Sequence, residues 1–380
     1  MTRVYPPGST IGVMGGGQLG RMFAGAARRM GYRVHIFTPE QASPAAQFAD
    51  LATEADYGDE NAVRRFARAV DLITFEFENI PAETIAWCAY HCEVRPTGRV
   101  LEIAQHRLRE KTFLAEHHFP LPQFRAVRDR SELESAVELI GRAAILKTAA
   151  FGYDGKGQQS IASRDLDDVW QTRASDDLVL EQAIDFAKEI SVIVARDPNA
   201  EIKAFPIAEN MHRDHILDLT IGPADVSASV AKDAVDLACA ISEKLEVVGL
   251  LAVEMFVDKS GQVLVNELAP RPHNSGHWSI EGCMTSQFEQ HVRAVCGLAL
   301  GPTDILRPAA MANLLGQVWQ SGEPDWAAAL AIPNVHLHLY GKREPRPRRK
   351  MGHLTALAAS TMEAGDLVRR ARESLCIPKS

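Results

Sequence analysis

LAVEMFVDKSGQVLVNELAPRPHNSGHW, residues 251–278, is the stretch on which the fold turns. Two apolar runs, 251–257 and 262–268, flank the polar turn Asp258-Lys259-Ser260-Gly261, the pattern of a β-hairpin. With Asp258 facing Gly261, Glu254 falls near Val265, and Glu267 follows two residues further along the same face. Diagonal neighbours of this kind lie about 7–8 Å apart, a gap two glutamates can close onto a shared cation. Val, Leu and Met on both sides would make two bare carboxylates costly there. Asn266 points to the other face unless a bulge or the strand end turns its carbonyl inward. Arg271, His273, Asn274 and His277 follow at once. The grouping reads as a Mg²⁺ site on a sheet beside an anion-handling loop. The competing reading is a plain hairpin with one solvated face.

A chain of 380 residues has room for two or three cored domains. Its formal charge of -8 argues against a nucleic-acid protein, whose footprint is a basic patch. The six cysteines form no disulfide framework and no CxxC pair. Cys88 and Cys92 lack the second pair that a zinc site would want. No signal-like stretch opens the chain, and no apolar run reaches the length of about 18 residues that a membrane span requires. A reduced, cytoplasmic enzyme is the simplest class.

TIGVM at 10–14 followed by GGGQLGRM reads as a strand, a glycine turn and a helix, the opening of an α/β unit. The glycines resemble a dinucleotide fingerprint. The second strand, 32–37, ends in Thr38-Pro39-Glu40, a poor presentation of a ribose-binding acid. A Rossmann-like domain that no longer binds a dinucleotide is favoured over NAD binding. A strand over 72–77 then runs into ENIP, placing Glu76 and Glu78 where open α/β sheets keep their ligand crevice. A substrate-binding carboxylate fits that position, while Asn79 could simply cap the helix that Pro81 starts.

Residues 99–116 read as one helix carrying Arg107 and Lys111. An exposed charged face and a cationic rim over a polyphosphate both remain open. Lys147 lies inside the apolar strand 145–149, where its charge needs a paired anion. FGYDGKGQQSI follows, a glycine-rich flap whose N–H groups can face phosphate and exclude water on closing. It lacks the GK[ST] of a Walker A loop. LVLEQAI at 178–184 reads as an adenine-and-ribose hinge, with backbone groups for the base edge and a carboxylate for the hydroxyls. Glu189 opens the next strand, and Glu209, Asn210 and His212 end another.

Residues 225–245 form a long amphipathic helix, 286–296 another, and short strands follow at 311–316 and 337–340. GKREPRPRRKMGH at 341–353 is a basic cluster in an acidic protein. It is either solvated or a subsite for a phosphorylated substrate.

Lysine strand, flap, hinge and two-carboxylate site together suit phosphoryl transfer from ATP to an oxyanion. The motifs GGGQLGRM, TFEFENIP, HRLREKTFL, GYDGKGQ, EQAIDFAKEIS, ENMH, NELAPRPHNSGHW and GKREPRPRRKMGH span nearly the whole chain. In this order they resemble the N5-carboxyaminoimidazole ribonucleotide synthetase family of the ATP-grasp superfamily. The last two, with EFEN, separate it from biotin carboxylases and D-alanine ligases.

The resemblance implies an α/β and α+β multidomain fold. Its parts would be a Rossmann-like preATP-grasp domain at 1–115, a lid at 116–184, a large ATP-grasp domain at 185–310 and a C-terminal subdomain at 311–380. It implies a homodimer in de novo purine biosynthesis, functionally linked to the mutase that uses its product, with aminoimidazole ribonucleotide, bicarbonate, ATP and Mg²⁺ as small-molecule partners. Nucleotide contacts would come from Arg107, Lys147, Gly152, Tyr153, Asp154, Gly155, Lys156, Gly157, Gln158, Glu181, Gln182, Ala183, Ile184, Glu189, His212, Asn266 and Glu267. Glu254 and Glu267 would hold Mg²⁺. Arg271 and His273, with Lys147, would serve catalysis by steering bicarbonate and its phosphate. Glu76, Tyr153, Asp154, Asn274, Lys342 and Arg349, beside Arg271 and His273, would meet the other substrate. His106 stands where the family usually has Asp, and Phe75 where it often has Tyr. Another ATP-grasp carboxylase or formate-dependent ligase, or a regulatory nucleotide-binding module, are the alternatives.

Overall fold

The computed structural model describes residues 3–150, 157–162, 164–171 and 177–375. Near the N-terminus, β1 (Thr10–Met14), β2 (Arg33–Thr38), β3 (Leu51–Glu54), β4 (Leu72–Phe75) and β5 (Glu93–Val94) pair in parallel, in the order β3-β2-β1-β4-β5. β4 is buried along its whole length and β1 almost so, as a parallel sheet covered on both faces requires. The order reverses between β1 and β4, so a crevice opens past their carboxyl ends. The strand expected to reach residue 77 stops at Phe75, and Glu76 and Glu78 lie just beyond it. Leu19, Phe23 and Ala27 of the helix Gln18–Arg29 share a core with Phe288, Val292 and Val295 of the helix Gln287–Cys296.

A second sheet contains β6 (Phe124–Val127), β7 (Ala144–Thr148), β8 (Gln158–Ser160) and β9 (Leu178–Gln182), antiparallel in the order β6-β9-β7-β8. Its apolar face is covered by Leu133 and Ala136 of the helix Arg130–Ile140, which Asp129 caps by accepting from the Glu132 N–H at 2.8 Å.

The third sheet has nine strands: β10 (Phe186–Arg196), β11 (Ile202–Ala204), β12 (Ala208–Arg213), β13 (Ile216–Gly222), β14 (Gly249–Asp258), β15 (Val263–Ala269), β16 (Ala309–Leu315), β17 (Val335–Leu339) and β18 (Lys350–Leu357). They run β15-β14-β10-β12-β13-β16-β18-β17, with β11 pairing β10. Val230, Ala234, Ala238 and Ile241 recur at helical spacing along Ala228–Lys244 and pack on Val253, Met255 and Val257. β16 pairs directly with β13, so the residues expected to form a C-terminal subdomain extend this sheet.

The single helix expected over 99–116 is two helices, Gly98–Ala104 and Arg107–Glu116. His106 is extended and bridges to Ala150, and the Arg107 N–H donates to the Ala149 carbonyl at 2.7 Å, which breaks the helix. Phe113 and Leu114 of the second helix lie in the core under the nine-stranded sheet. No helix among the described residues is long and apolar enough to cross a membrane.

Candidate active site

The hairpin register differs from the expected one. Asp258 bonds across the turn to Gln262, and Met255 pairs with Val265, but Glu254 pairs directly with Glu267. One extra residue, Asn266, is bulged out between them. The bulge explains why Val263, Val265 and Leu268 all enter the core although their spacing is uneven. It also gives Asn266 a role: its carbonyl accepts from the buried Lys111 ammonium at 3.2 Å. The two carboxylates thus face each other across adjacent strands. Burial first, then the Glu267 charge, pushes the Glu254 carboxyl up.

One guanidinium and two imidazoles stand around the pair. Arg107 donates to Glu267 at 3.1 Å, and His273 stands 3.3 Å from Glu254. His212 bonds Glu189 at 2.5 Å; burial alone would lower its pKa, but the Glu189 contact outweighs that and raises it. His273 is fixed from three sides. Its N–H donates to Gln287 at 2.8 Å, its carbonyl accepts from the Gln287 amide at 2.7 Å, and its ring meets the Ser275 hydroxyl at 2.8 Å. Burial and the Arg271 charge hold its pKa well below the usual value. A neutral, oriented imidazole results. Asn274 and Asn313 exchange amide hydrogen bonds of 2.7 and 3.1 Å, and Asn313 also donates to the Leu217 carbonyl at 2.7 Å.

Glu76 and Glu78 have separate partners. Glu76 is buried at the N-terminus of the helix Gln18–Arg29 and accepts from the Gly17 N–H and, at 2.9 Å, the Gly20 N–H. A helix N-terminus favours an anion, and here the chain supplies its own. A Cβ on Gly17 would stand 2.6 Å from the Glu76 carboxylate, so a larger residue there would have to push that carboxylate aside. The dinucleotide-like loop is therefore closed. Burial raises the Glu76 carboxyl, those two N–H groups partly opposing it. Glu78 forms a forked ion pair with Arg271, one bond measuring 3.0 Å. Burial would raise its carboxyl, but the guanidinium overrides that and holds it low.

The hinge strand departs from expectation. The Glu181 carboxylate is buried between Lys147 at 2.8 Å and Lys111 at 3.2 Å, so it balances two ammonium groups and is not presented to a sugar. The Gln182 and Ala183 N–H groups donate to the Gln123 and Ala143 carbonyls at 2.8 Å each and do not meet a base edge. Glu189, four residues into β10, is a partly exposed carboxylate nearby in sequence. Gly157 and Gln158 follow the flap, with Gln158 paired to Lys147 across β8 and β7. Gly152, Tyr153, Asp154, Gly155 and Lys156 lie outside the described residues.

Lys342 and Arg349 reach the first domain's crevice. Arg349 stands 3.6 Å from Glu40, and Lys342, within the field of Glu76, donates to the Lys350 carbonyl at 2.8 Å. Burial, then the Arg349 charge, lowers Lys342 to about 8. The geometry thus joins Glu254, Glu267, Arg107, His273, His212 and Glu189 in one cluster of carboxylates, a guanidinium and imidazoles. Lys147 adjoins it through Lys111, and Arg271 through Glu78. Lys111 and Glu78 are noticeable in the sequence as charges beside apolar runs, but their partners are not.

Family models match the chain in order. A ribonucleotide synthetase preATP-grasp domain covers 9–105, an ATP-grasp domain 112–288, and the phosphoribosylaminoimidazole carboxylase C-terminal domain 309–366. N5-carboxyaminoimidazole ribonucleotide synthase of Bacillus subtilis (strain 168) is 43% identical, covering 93% of this chain and 92% of its own. The bifunctional purine synthesis protein purC/E of Dictyostelium discoideum is 44% identical over 93% of this chain, which spans only 37% of that protein. A crystal structure of the ADP complex of N5-carboxyaminoimidazole ribonucleotide synthetase superposes with a TM-score of 0.93, at 39% identity over 98% of each chain. Fold and site together define an ATP-grasp ligase with a preATP-grasp domain. Within that class, the chain belongs to the N5-carboxyaminoimidazole ribonucleotide synthase family.

Proposed function

We propose that this protein joins 5-amino-1-(5-phosphoribosyl)imidazole to bicarbonate at the expense of ATP. It forms N5-carboxyaminoimidazole ribonucleotide, ADP and phosphate in de novo purine biosynthesis. The observation that carries the reading is the facing pair Glu254 and Glu267, with Arg107 and His273 against it and Arg271 held beside it by Glu78.

A bicarbonate oxygen attacks the γ-phosphorus, the bond to the ADP oxygen breaks, and carboxyphosphate forms. The exocyclic amine of the ribonucleotide then takes the carboxyl carbon, either from that intermediate or as CO₂ released from it. Phosphate leaves and the nitrogen gives up a proton. Lys147 and Arg271 offset the charge that builds on the transferring oxygens. His273, kept neutral, and Asn274 orient the bicarbonate end. Arg107, Gly157, Gln158, Ile184, Glu189, His212 and Asn266 line the nucleotide's course. Glu76, Lys342 and Arg349 receive the ribonucleotide, the last two as its phosphate anchors.

Glu254 and Glu267 are the residues that would hold Mg²⁺, which when bound neutralises phosphate charge. They fit it: two carboxylates face each other directly across adjacent strands, and burial, then the Glu267 charge, drives the Glu254 carboxyl up, which a bound cation would offset. Among the described residues no group of three or more His, Cys, Asp or Glu is placed to hold a metal. Two carboxylates with phosphate oxygens and water are the usual Mg²⁺ arrangement. A homodimer in the cytoplasm, and the division at 115, 184 and 310, belong to the same proposal.

The test is phosphate release from ATP. It should rise sharply only when aminoimidazole ribonucleotide and bicarbonate are both present, and Glu267→Gln should lower Mg²⁺-dependent turnover about 100-fold. No stimulation by the ribonucleotide would transfer the chain to another ATP-grasp carboxylase or formate-dependent ligase. ATP binding without any product would make it a regulatory module.

A further inference from the structure

Lys350 opens β18 and belongs to none of the groups placed so far in nucleotide, metal or ribonucleotide binding. A regular ladder would put it on the same strand face as Gly352, since side chains alternate. The ladder is not regular. Leu314 pairs with Gly352 but Leu315 pairs with Lys350, so Met351 is an extra, bulged residue. The bulge carries Lys350 onto the strand face that holds Asn313 and His353. That face looks at the turn after β15: Asn313 bonds Asn274, and the His353 ring lies 4.8 Å from that of His277. The half-buried Lys350 side chain is therefore on the face turned toward Asn274 and His277, and its positive charge lies within electrostatic range of the histidines at that end of the site. Its main chain faces the other way in function. The Lys350 carbonyl accepts from the Lys342 ammonium at 2.8 Å.

We infer that Lys350 is a positioning residue that joins the two substrate ends of the site. Its ammonium balances and orients the carboxylate–histidine end where the nucleotide phosphates arrive. Its carbonyl holds Lys342 ready for the ribonucleotide phosphate. The inference rests on the proposed ligase reaction, but its two halves separate by mutation because only one of them is a side chain. A methionine at 350 keeps the stem and the carbonyl and removes the charge.

Three proteins are compared: wild type, Lys350→Met and Lys350→Arg, each first checked for an unchanged unfolding midpoint. Calorimetry measures ADP binding and, separately, aminoimidazole ribonucleotide binding to nucleotide-free protein; steady-state phosphate release gives kcat and both KM values. Lys350→Met should bind ADP about tenfold more weakly, because the carboxylate–histidine end that meets the phosphates loses a balancing positive charge. Its kcat should fall at least about tenfold, while ribonucleotide affinity stays within about twofold. Lys350→Arg should recover most of the loss. ADP binding and kcat like wild type in the methionine variant would overturn the assignment. So would equal loss of both ligands, or a loss that arginine leaves unrepaired and that follows a lowered unfolding midpoint. Absence of ribonucleotide stimulation in wild type would instead count against the ligase reading, and the ADP arm would still decide for or against Lys350.

Discussion

Single side chains in this site are tuned by what they face across the fold. Arg271 is an example, because Glu78, 193 residues away in sequence, grips its guanidinium with two hydrogen bonds. A planar fork gains both orientation and energy from such a partner. Glu78→Gln should leave Arg271 in place but poorly aimed. We expect kcat to fall about tenfold with little change in the KM for ATP, since misplacement by a fraction of an ångström is felt mainly in the chemical step. A normal kcat would reduce the pair to a structural tie. Lys342 gives a pH prediction. Its lowered pKa, about 8, means that the free enzyme loses this cation as pH rises through that value. The kcat/KM for the ribonucleotide should therefore decline above pH about 8, and Lys342→Arg should move that decline to higher pH. Stability changes in the opposite sense. The folded protein binds fewer protons here than the unfolded chain, so the cost of holding this buried cation is relieved progressively from pH about 8 up to the ordinary lysine range.

Elements carry the next level of constraint. β7, β9 and the helix Arg107–Glu116 meet at Lys147, Glu181 and Lys111, one carboxylate between two buried ammonium groups. Glu181→Gln would leave both cations without their anion, and breaking a buried pair in this way costs about 3–5 kcal/mol. Denaturant unfolding would measure the loss, and a change below about 1 kcal/mol would remove the triad as a stabilising unit. The same elements show how far the sequence is legible. β1 is readable at both ends because TIGVM is apolar and a glycine turn follows. The Glu254–Glu267 face is readable from alternation. Their direct pairing is not, because it follows from the Asn266 bulge, whose carbonyl meets Lys111 of another element, a contact alternation does not reveal. The partners of Glu181 are hidden for a related reason. A carboxylate at a strand end suits a sugar equally well until its two lysine partners are known. Lys350 is visible only as one charge in a basic run, since the bulge at Met351 decides which face it takes.

At the scale of the molecule, the domains share interiors. Phe288, Val292 and Val295 belong by sequence to the nucleotide-binding half, yet they complete the core of the first domain. Phe288→Ala should cost about 3–5 kcal/mol, as for other large buried aromatic truncations. Calorimetry should show the loss in one shared transition; a first domain melting by itself would contradict the shared core. The Glu76 plug in that first domain has a further consequence. It acts as a tethered ligand: an anion joined to its own receptor by the chain is present at a high effective concentration and cannot be diluted away. The glycine turn is therefore saturated whatever the cell supplies. The N–H groups that would meet a free anion at this turn are already taken by Glu76, so a ligand of the crevice meets the carboxylate and not the glycine backbone.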